Sequence, residues 1–250
     1  MKKKVEVKEV RSGLHDRRSF LRISGLAVAG TGLLMVGCDS DDDGGSPTPD
    51  NQQLPGVRNG VFDLGGGDLG ILTYAYALEQ LEADFYTRVV NNNSFGSTFN
   101  NEEQQILEDL YNHEVIHREF FRTALSGALN DPDRLLPDLQ FDYGSLNFGN
   151  RDQVLGTAKA LEDTGVSAYN GAGRYLTTPD YLVVAGKIVS VEARHAAAIR
   201  DLISPGTASF AGNDVVDANG LDMAKMPSQV VAAVTDLGFV QTDFTAQYLP

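Results

Sequence analysis

Two short motifs set 78 residues apart, "HEVIH" at 113–117 and "VEARH" at 191–195, constrain this chain more than any other feature. Each places a glutamate three positions before a histidine: Glu114 before His117, and Glu192 before His195. Residues three apart lie on one face of a helix, so each motif can present a carboxylate and an imidazole to a single metal ion. The chain has only four histidines, and two of them stand at this spacing. One such motif is weak evidence. A matched pair asks for a fold that brings two helices side by side.

The pattern between residues 64 and 204 supplies four helices. The first is expected from about Asp68, as N-cap, through "LGILTYAYALEQLEADFYTRVV" to the asparagine run at 91–93, with Leu72, Ala75, Leu78 and Phe85 at helical spacing. The second starts near Asn101, with Glu102 and Glu103 in the first turn, and ends before Gly127. Asn150 caps a third that runs to about Leu176, and Thr178-Pro179-Asp180 opens a fourth that stops at Ser204-Pro205. Short links within each pair make two antiparallel hairpins. The segment between Gly127 and Gly149 reaches about 70 Å when extended, against roughly 38 Å for a 25-residue helix, so it can cross over along the side of a bundle. The predicted fold class is all-α, a four-helix bundle of two hairpins with one long crossover. A short helix at "MPSQVVAAVTDLG" in a 205–250 extension packs outside it.

The hairpins align with one another. "ALEQLEADFY" in the first helix and "ALEDTGVSAY" in the third superpose Glu79 on Glu162 and Tyr86 on Tyr169, 83 residues apart. In the second and fourth helices, Glu114, His117 and Arg122 match Glu192, His195 and Arg200. The chain therefore reads as a duplicated hairpin. Glu79, Glu114, Glu162 and Glu192 all fall near mid-helix, so one layer can hold them. Four buried carboxylates need compensating cations, and two divalent ions with both histidines neutral match their charge. The expected metal ligands are Glu79, Glu114, His117, Glu162, Glu192 and His195. Glu82, one turn beyond Glu79, is a bridging or supporting carboxylate. Tyr86 and Tyr169 are core groups able to hydrogen-bond ligands, and His113 points about 100° away from Glu114 to support the cluster or lie on the surface. Arg122 and Arg200 are read as surface or ion-pair residues.

"YALEQLEADFY", "HEVIH", "LEDTGVSAY" and "VEARH", spread over residues 69–204, resemble the ferritin-like superfamily, and within it the ferritin-like domain proteins that include desiccation-related proteins. The resemblance implies two Fe or Mn ions, with oxygen or peroxide as reaction partner in ferroxidase-type or manganese-catalase-like chemistry. A non-catalytic metal-binding or stress-protective envelope protein is the alternative it also implies. A homo-oligomer is compatible with it.

Composition limits the partners. A net charge of −14 lacks the basic face that nucleic acid requires. A single cysteine leaves no internal disulfide and no cysteine-based zinc site. That residue, Cys38, closes "DRRSFLRISGLAVAGTGLLMVGC", whose apolar run is too short and glycine-rich for a membrane span. The segment resembles a twin-arginine (Tat) signal joined to a bacterial lipobox, with Met35 where leucine is usual. Residues 1–37 would then be a signal peptide and Cys38 the lipidation site. The protein would be exported to the bacterial cell envelope or periplasm and held there by a lipid anchor; cleavage by an ordinary signal peptidase is the alternative. Residues 38–63, rich in Asp, Gly and Pro, read as a flexible acidic tether without the ligand spacing of a calcium loop.

Overall fold

The computed structural model describes residues 53–250. The expected signal peptide, Cys38 and most of the expected tether lie outside them. Four long helices form the body: α1 (Gly67–Val90), α2 (Asn101–Leu129), α3 (Arg151–Ala172) and α4 (Pro179–Ile203). α1 packs along α2 and α3 along α4, giving the two expected hairpins. No helix among the described residues is long and apolar enough to cross a membrane.

Local chemistry sets the helix ends, and not all of them fall where expected. Asn100 begins α2 through a reciprocal cap: its side chain accepts from the backbone N–H of Glu102 and Glu103, while Glu103 accepts from the N–H of Asn100. α2 continues through Gly127 to Leu129, because a glycine near a helix end costs only about 1 kcal/mol. It stops where Asn130 turns left-handed, at φ 49°. Asp68 is not the N-cap of α1, which is Gly66. Its carboxylate instead accepts from the backbone N–H groups of Thr177 and Thr178, pinning the start of α1 to the α3–α4 turn. Thr178 opens α4 without a side-chain cap. At the opposite end Arg151 donates to Glu103 and to the carbonyl of Leu202, tying together three helix ends.

The crossover, residues 130–150, lies against α1. Gln80 accepts from the N–H of Leu139 and donates to the carbonyl of Pro137, and Arg88 donates to the carbonyl of Phe141. Leu136, Leu139 and Tyr143 are buried beneath it. These hydrogen bonds satisfy backbone groups that a sheet or helix would otherwise satisfy.

The chain on either side of the bundle departs from the expected division. β1 (Gly56–Arg58) and β2 (Val61–Asp63) form an antiparallel hairpin, and β3 (Phe244–Thr245) adds in parallel to β2. The tether expected over 38–63 therefore ends before this hairpin. Asp63 explains its order: fully buried, it accepts from the N–H of Gly65, the hydroxyl of Thr245 and the N–H of Gln247. The 205–250 extension holds helix α5 (Pro227–Leu237), with Val230 and Val234 in the core. Its Phe239–Thr242 stretch bonds to the crossover, through Asp142 N–H to Phe239 O, Gln241 N–H to Gln140 O, and Gln140 N–H to the Thr242 hydroxyl.

Arg200 anchors the start of this extension. Nearly all of its surface is buried, and it makes a two-pronged ion pair with Asp163 and a second with Asp214. Arg122, its mate in the duplicated sequence, is exposed. The first part of the extension lies on the α3–α4 hairpin, while its last residues reach the start of α1, where Leu249 stands beside Gly70. The extension crosses α3 where Lys225 N–H bonds to Ser167 O, and a Cβ on Gly171 would stand 1.7 Å from the carbonyl oxygen of Lys225. Gly171→Ala should therefore lower stability by about 1–3 kcal/mol, or roughly 2–4 °C in Tm per kcal/mol, and open residues 205–226 to proteolysis first. Thermal melts and limited proteolysis with mass spectrometry check this.

Candidate metal centre

All four helices contribute to one buried layer at the middle of the bundle. α1 carries Glu79, Glu82 and Tyr86; α2 carries His113, Glu114 and His117; α3 carries Glu162 and Tyr169; α4 carries Glu192 and His195. Glu79, Glu114, Glu162 and Glu192 have no exposed surface, and Glu82 and His195 are 3% exposed. The side chain of His117 is 12% exposed.

The six expected ligands fall into two groups whose donor atoms lie within 4.8 Å of one another: Glu79, Glu114, His117 and Glu192, and Glu114, Glu162, Glu192 and His195. Glu114 and Glu192 belong to both. Oε2 of Glu114 and Oε1 of Glu192 face His117 Nδ1 at 3.4 and 2.9 Å. Oε1 of Glu114 and Oε2 of Glu192 face His195 Nδ1 at 2.7 and 3.6 Å. Glu79 Oε2 closes the first group, 3.4 Å from His117 Nδ1, and Glu162 Oε2 closes the second, 3.5 Å from His195 Nδ1. The duplicated sequence thus becomes a pseudo-twofold site, with the two Glu-x-x-His glutamates shared and one glutamate from α1 and α3 on each side.

Hydrogen bonding divides the carboxylate oxygens. The outer oxygen of Glu162 accepts from the Tyr86 hydroxyl at 2.6 Å, and the outer oxygen of Glu79 accepts from the Tyr169 hydroxyl. Each tyrosine so holds a glutamate of the opposite half. The inner atoms, namely Oε2 of Glu79 and Glu162, both oxygens of Glu114 and Glu192, and Nδ1 of His117 and His195, are buried without a hydrogen-bond partner. Their approaches to one another are ion-pair close yet lack hydrogen-bond geometry. A bare buried polar atom costs about 1–3 kcal/mol, so a cluster of them calls for a cation at its centre. The donor set, imidazole and carboxylate, suits Fe or Mn and fits a pair of such ions.

His113, expected to support the cluster or lie on the surface, is exposed at the edge of the layer and reaches an expected ligand. Its Nδ1 is 2.9 Å from Nε2 of His195, across from α2 to α4. This contact suits the tautomer in which His195 Nε2–H donates outward and leaves the Nδ1 lone pair facing the cluster. Glu82, expected to bridge or support the centre, is buried beside it; the space at Gly165 went unread in the sequence.

Without metal the cluster holds protons. Burial raises Glu114, Glu192 adds repulsion, and the contacts with His117 and His195 only partly offset both, leaving it pushed up to about 8. Burial likewise raises Glu162 to about 7, against the pull of His195. Glu82 is raised well above the carboxylate range by burial and by the four surrounding glutamates. Burial alone would lower His117, but Glu114, Glu192 and Glu79 outweigh it and hold it up to about 12. His195 moves in the same direction, burial opposed and overcome chiefly by Glu162. Glu192 goes the other way: burial would raise it, but His117 and His195 draw it down to about 2.

The sequence model of the ferritin-like domain family matches residues 67–205, more than half of the chain. The chain belongs to that family. Among solved structures it is similar to one described as a ferritin-like diiron-carboxylate protein, from Thermotoga maritima, with 23% identity over 55% of this chain and 95% of that one, and a TM-score of 0.40. No curated protein matches the sequence.

The proton inventory predicts how the metal-free protein responds to pH. For Glu82, Glu114, Glu162, His117 and His195 the folded state binds protons more tightly than the unfolded chain. Stability from each is present below its unfolded pKa, near 4.5 for Glu and 6.5 for His, and is lost as pH rises toward the folded value. Glu192 acts oppositely, but only as pH falls below the ordinary carboxylate range. Chelator-treated protein should therefore lose Tm steadily from pH 5.5 to about pH 9, by circular dichroism melts, and bound metal should flatten that slope. A metal-free Tm that rises over this interval would show the cluster to be ionised without protons.

Proposed function

We propose that this chain is an exported di-metal carboxylate protein whose site binds two Fe or Mn ions and carries out redox chemistry with oxygen or peroxide. The observation that carries the reading is the sharing of Glu114 and Glu192 between two ligand groups, with every inner donor atom unbonded and every tyrosine bond on an outer oxygen. Glu79, Glu114, His117, Glu162, Glu192 and His195 would hold the ions. Such a pair, when bound, supplies electrons to an oxygen or peroxide molecule.

The surrounding residues serve that chemistry in separable ways. Tyr86 and Tyr169 fix the carboxylates of Glu162 and Glu79 so that their inner oxygens face the centre. His113 fixes the ring of His195. Burial of Glu79, Glu114, Glu162, Glu192 and His195 strengthens every charge interaction among them. An apolar cavity of about 20 Å³, lined among others by Leu72, Tyr74, Phe121 and Tyr169, lies between the helices beside Tyr169. None of the six ligands lines it; Tyr169, which bonds to Glu79, is the residue that it has in common with the site.

Two metal ions per chain are expected on elemental analysis of protein purified from its native compartment. Glu114→Ala and His195→Ala should each lose at least one ion, and full metal content in both variants would sink the ligand assignment. Stopped-flow mixing of the Fe(II)-loaded protein with oxygen, and of the Mn-loaded protein with peroxide, then tests turnover. If neither oxidant is consumed, the site is a structural or storage centre, as in a stress-protective protein.

Export and anchoring rest on the sequence of residues 16–38, which supports Tat passage and lipidation of Cys38. Passage in a folded state suits a protein that acquires its metals before export. Replacing Cys38 with Ser should release the protein from the membrane fraction into soluble periplasm, followed by fractionation and immunoblot, and unchanged partitioning would remove the anchor.

A further inference from the structure

Glu82 is the buried acid that the ligand groups leave over. It stands one turn beyond Glu79 on α1 with 3% of its surface exposed, and its Oε2 has no hydrogen-bond partner. Gly165 on α3 makes its room: a Cβ there would lie 3.0 Å from Glu82 Oε1 and 3.7 Å from Glu192 Oε2. Glu82 therefore shares a niche with the Glu192 oxygen that faces His195.

The duplicated sequence shows that this niche is one-sided. The offset of 83 residues that superposes Glu79 on Glu162 and Tyr86 on Tyr169 superposes Glu82 on Gly165. One half carries an additional carboxylate, and the other has no side chain at the position where the two would collide. A buried acid with a structural task looks different in this chain. Asp63 accepts three hydrogen bonds, and Glu103 accepts from the N–H of Asn100 and from the Arg151 guanidinium. Glu82 directs an unbonded oxygen among Glu79, Glu114, Glu162 and Glu192, which are the groups that act on it most strongly after burial itself.

We propose that Glu82 is a fifth metal-binding carboxylate, brought to the Glu192 Oε2 side of the centre through the gap at Gly165, and that it makes the two metal positions unequal. The inference rests on the di-metal reading above. Five carboxylates exceed the charge of two divalent ions by one, so the position next to Glu82 has both an additional donor and the larger negative field. The two ions then bind with different affinities although the six other ligands are related by the duplication.

Stepwise titration of metal-free protein with Co(II), followed by absorbance and equilibrium dialysis, tests this. Wild-type protein should take up two equivalents with distinct affinities and spectra. Glu82→Gln, which keeps the shape and removes the charge, should weaken one equivalent by about 10–100-fold and leave the other unchanged. Gly165→Ala leaves every carboxylate in the chain but pushes the end of Glu82 aside, and it should weaken the same equivalent to a smaller degree. Wild-type isotherms in both variants would overturn the proposal and leave the di-metal reading standing, as would equal weakening of both equivalents. Fewer than two equivalents in the wild type would remove the di-metal reading itself. Should Glu82→Gln not fold, Gly165→Ala decides alone, since its Cβ meets the end of a flexible side chain rather than backbone.

Discussion

Everything in this fold depends on placing four like-charged side chains, Glu79, Glu114, Glu162 and Glu192, where water cannot reach them. Like charges in a medium of low polarity repel strongly, and desolvation adds to the cost. Such a cluster survives only if the scaffold is stable without it and if protons or metal ions neutralise it. The bundle meets the first condition with long helices whose apolar faces fill the layers above and below: Tyr76, Phe121 and Leu125 on one side of the site, Phe85, Leu107 and Leu155 on the other. It meets the second through two imidazoles that stand among the carboxylates.

The positions of the stabilising groups follow from this division. Polar fastenings lie at the bundle ends and flanks, away from the charged layer: Asp68 on the Thr177–Thr178 turn, Arg151 on Glu103 and Leu202, and Asp163 with Asp214 on Arg200. Within the layer, hydrogen bonds go only to the atoms that a metal would not use. Tyr86 and Tyr169 cross from one hairpin to the other to do this. They link the halves while leaving the inner oxygens bare. Stability and function are thereby assigned to different atoms of the same carboxylates.

Much of this was legible in the sequence because helices convert spacing into direction. Glu114 and His117, or Glu192 and His195, share a face whatever surrounds them, and the repeat of the hairpin selected Glu79 and Glu162 as their partners. The N-terminal cap at Asn150 is local chemistry and was equally readable, and the start expected near Asn101 falls one residue after the cap at Asn100. What escaped depended on contacts distant in the chain. Asp68 looked like a cap because nothing local reveals Thr177, 109 residues away. Residues 56–63 looked like tether because their hydrogen-bond partners include a two-residue strand at the far end of the chain. The contact of His113 with His195 required knowing which helix lies beside α2, and a glycine such as Gly165 gives no sign in sequence that its empty side is filled by another residue.

The departures from symmetry are themselves informative. The crossover lies on α1, where Gln80 and Arg88 hold it, and the C-terminal extension lies on α3 and α4, where Gly171, Ser167 and Arg200 receive it. The two hairpins are thus covered differently: Arg200 is held by the extension, whereas Arg122 is exposed. No covering segment reaches the replacement of a glutamate by a glycine at positions 82 and 165, because both face the interior. Packing alone would favour an apolar residue at position 82, since a buried acid with an unbonded oxygen opposes folding. Its presence there, opposite a position without a side chain, is a cost carried in the folded state that a proton offsets in the metal-free protein and that positive charge at the centre would offset in the metal-bound one.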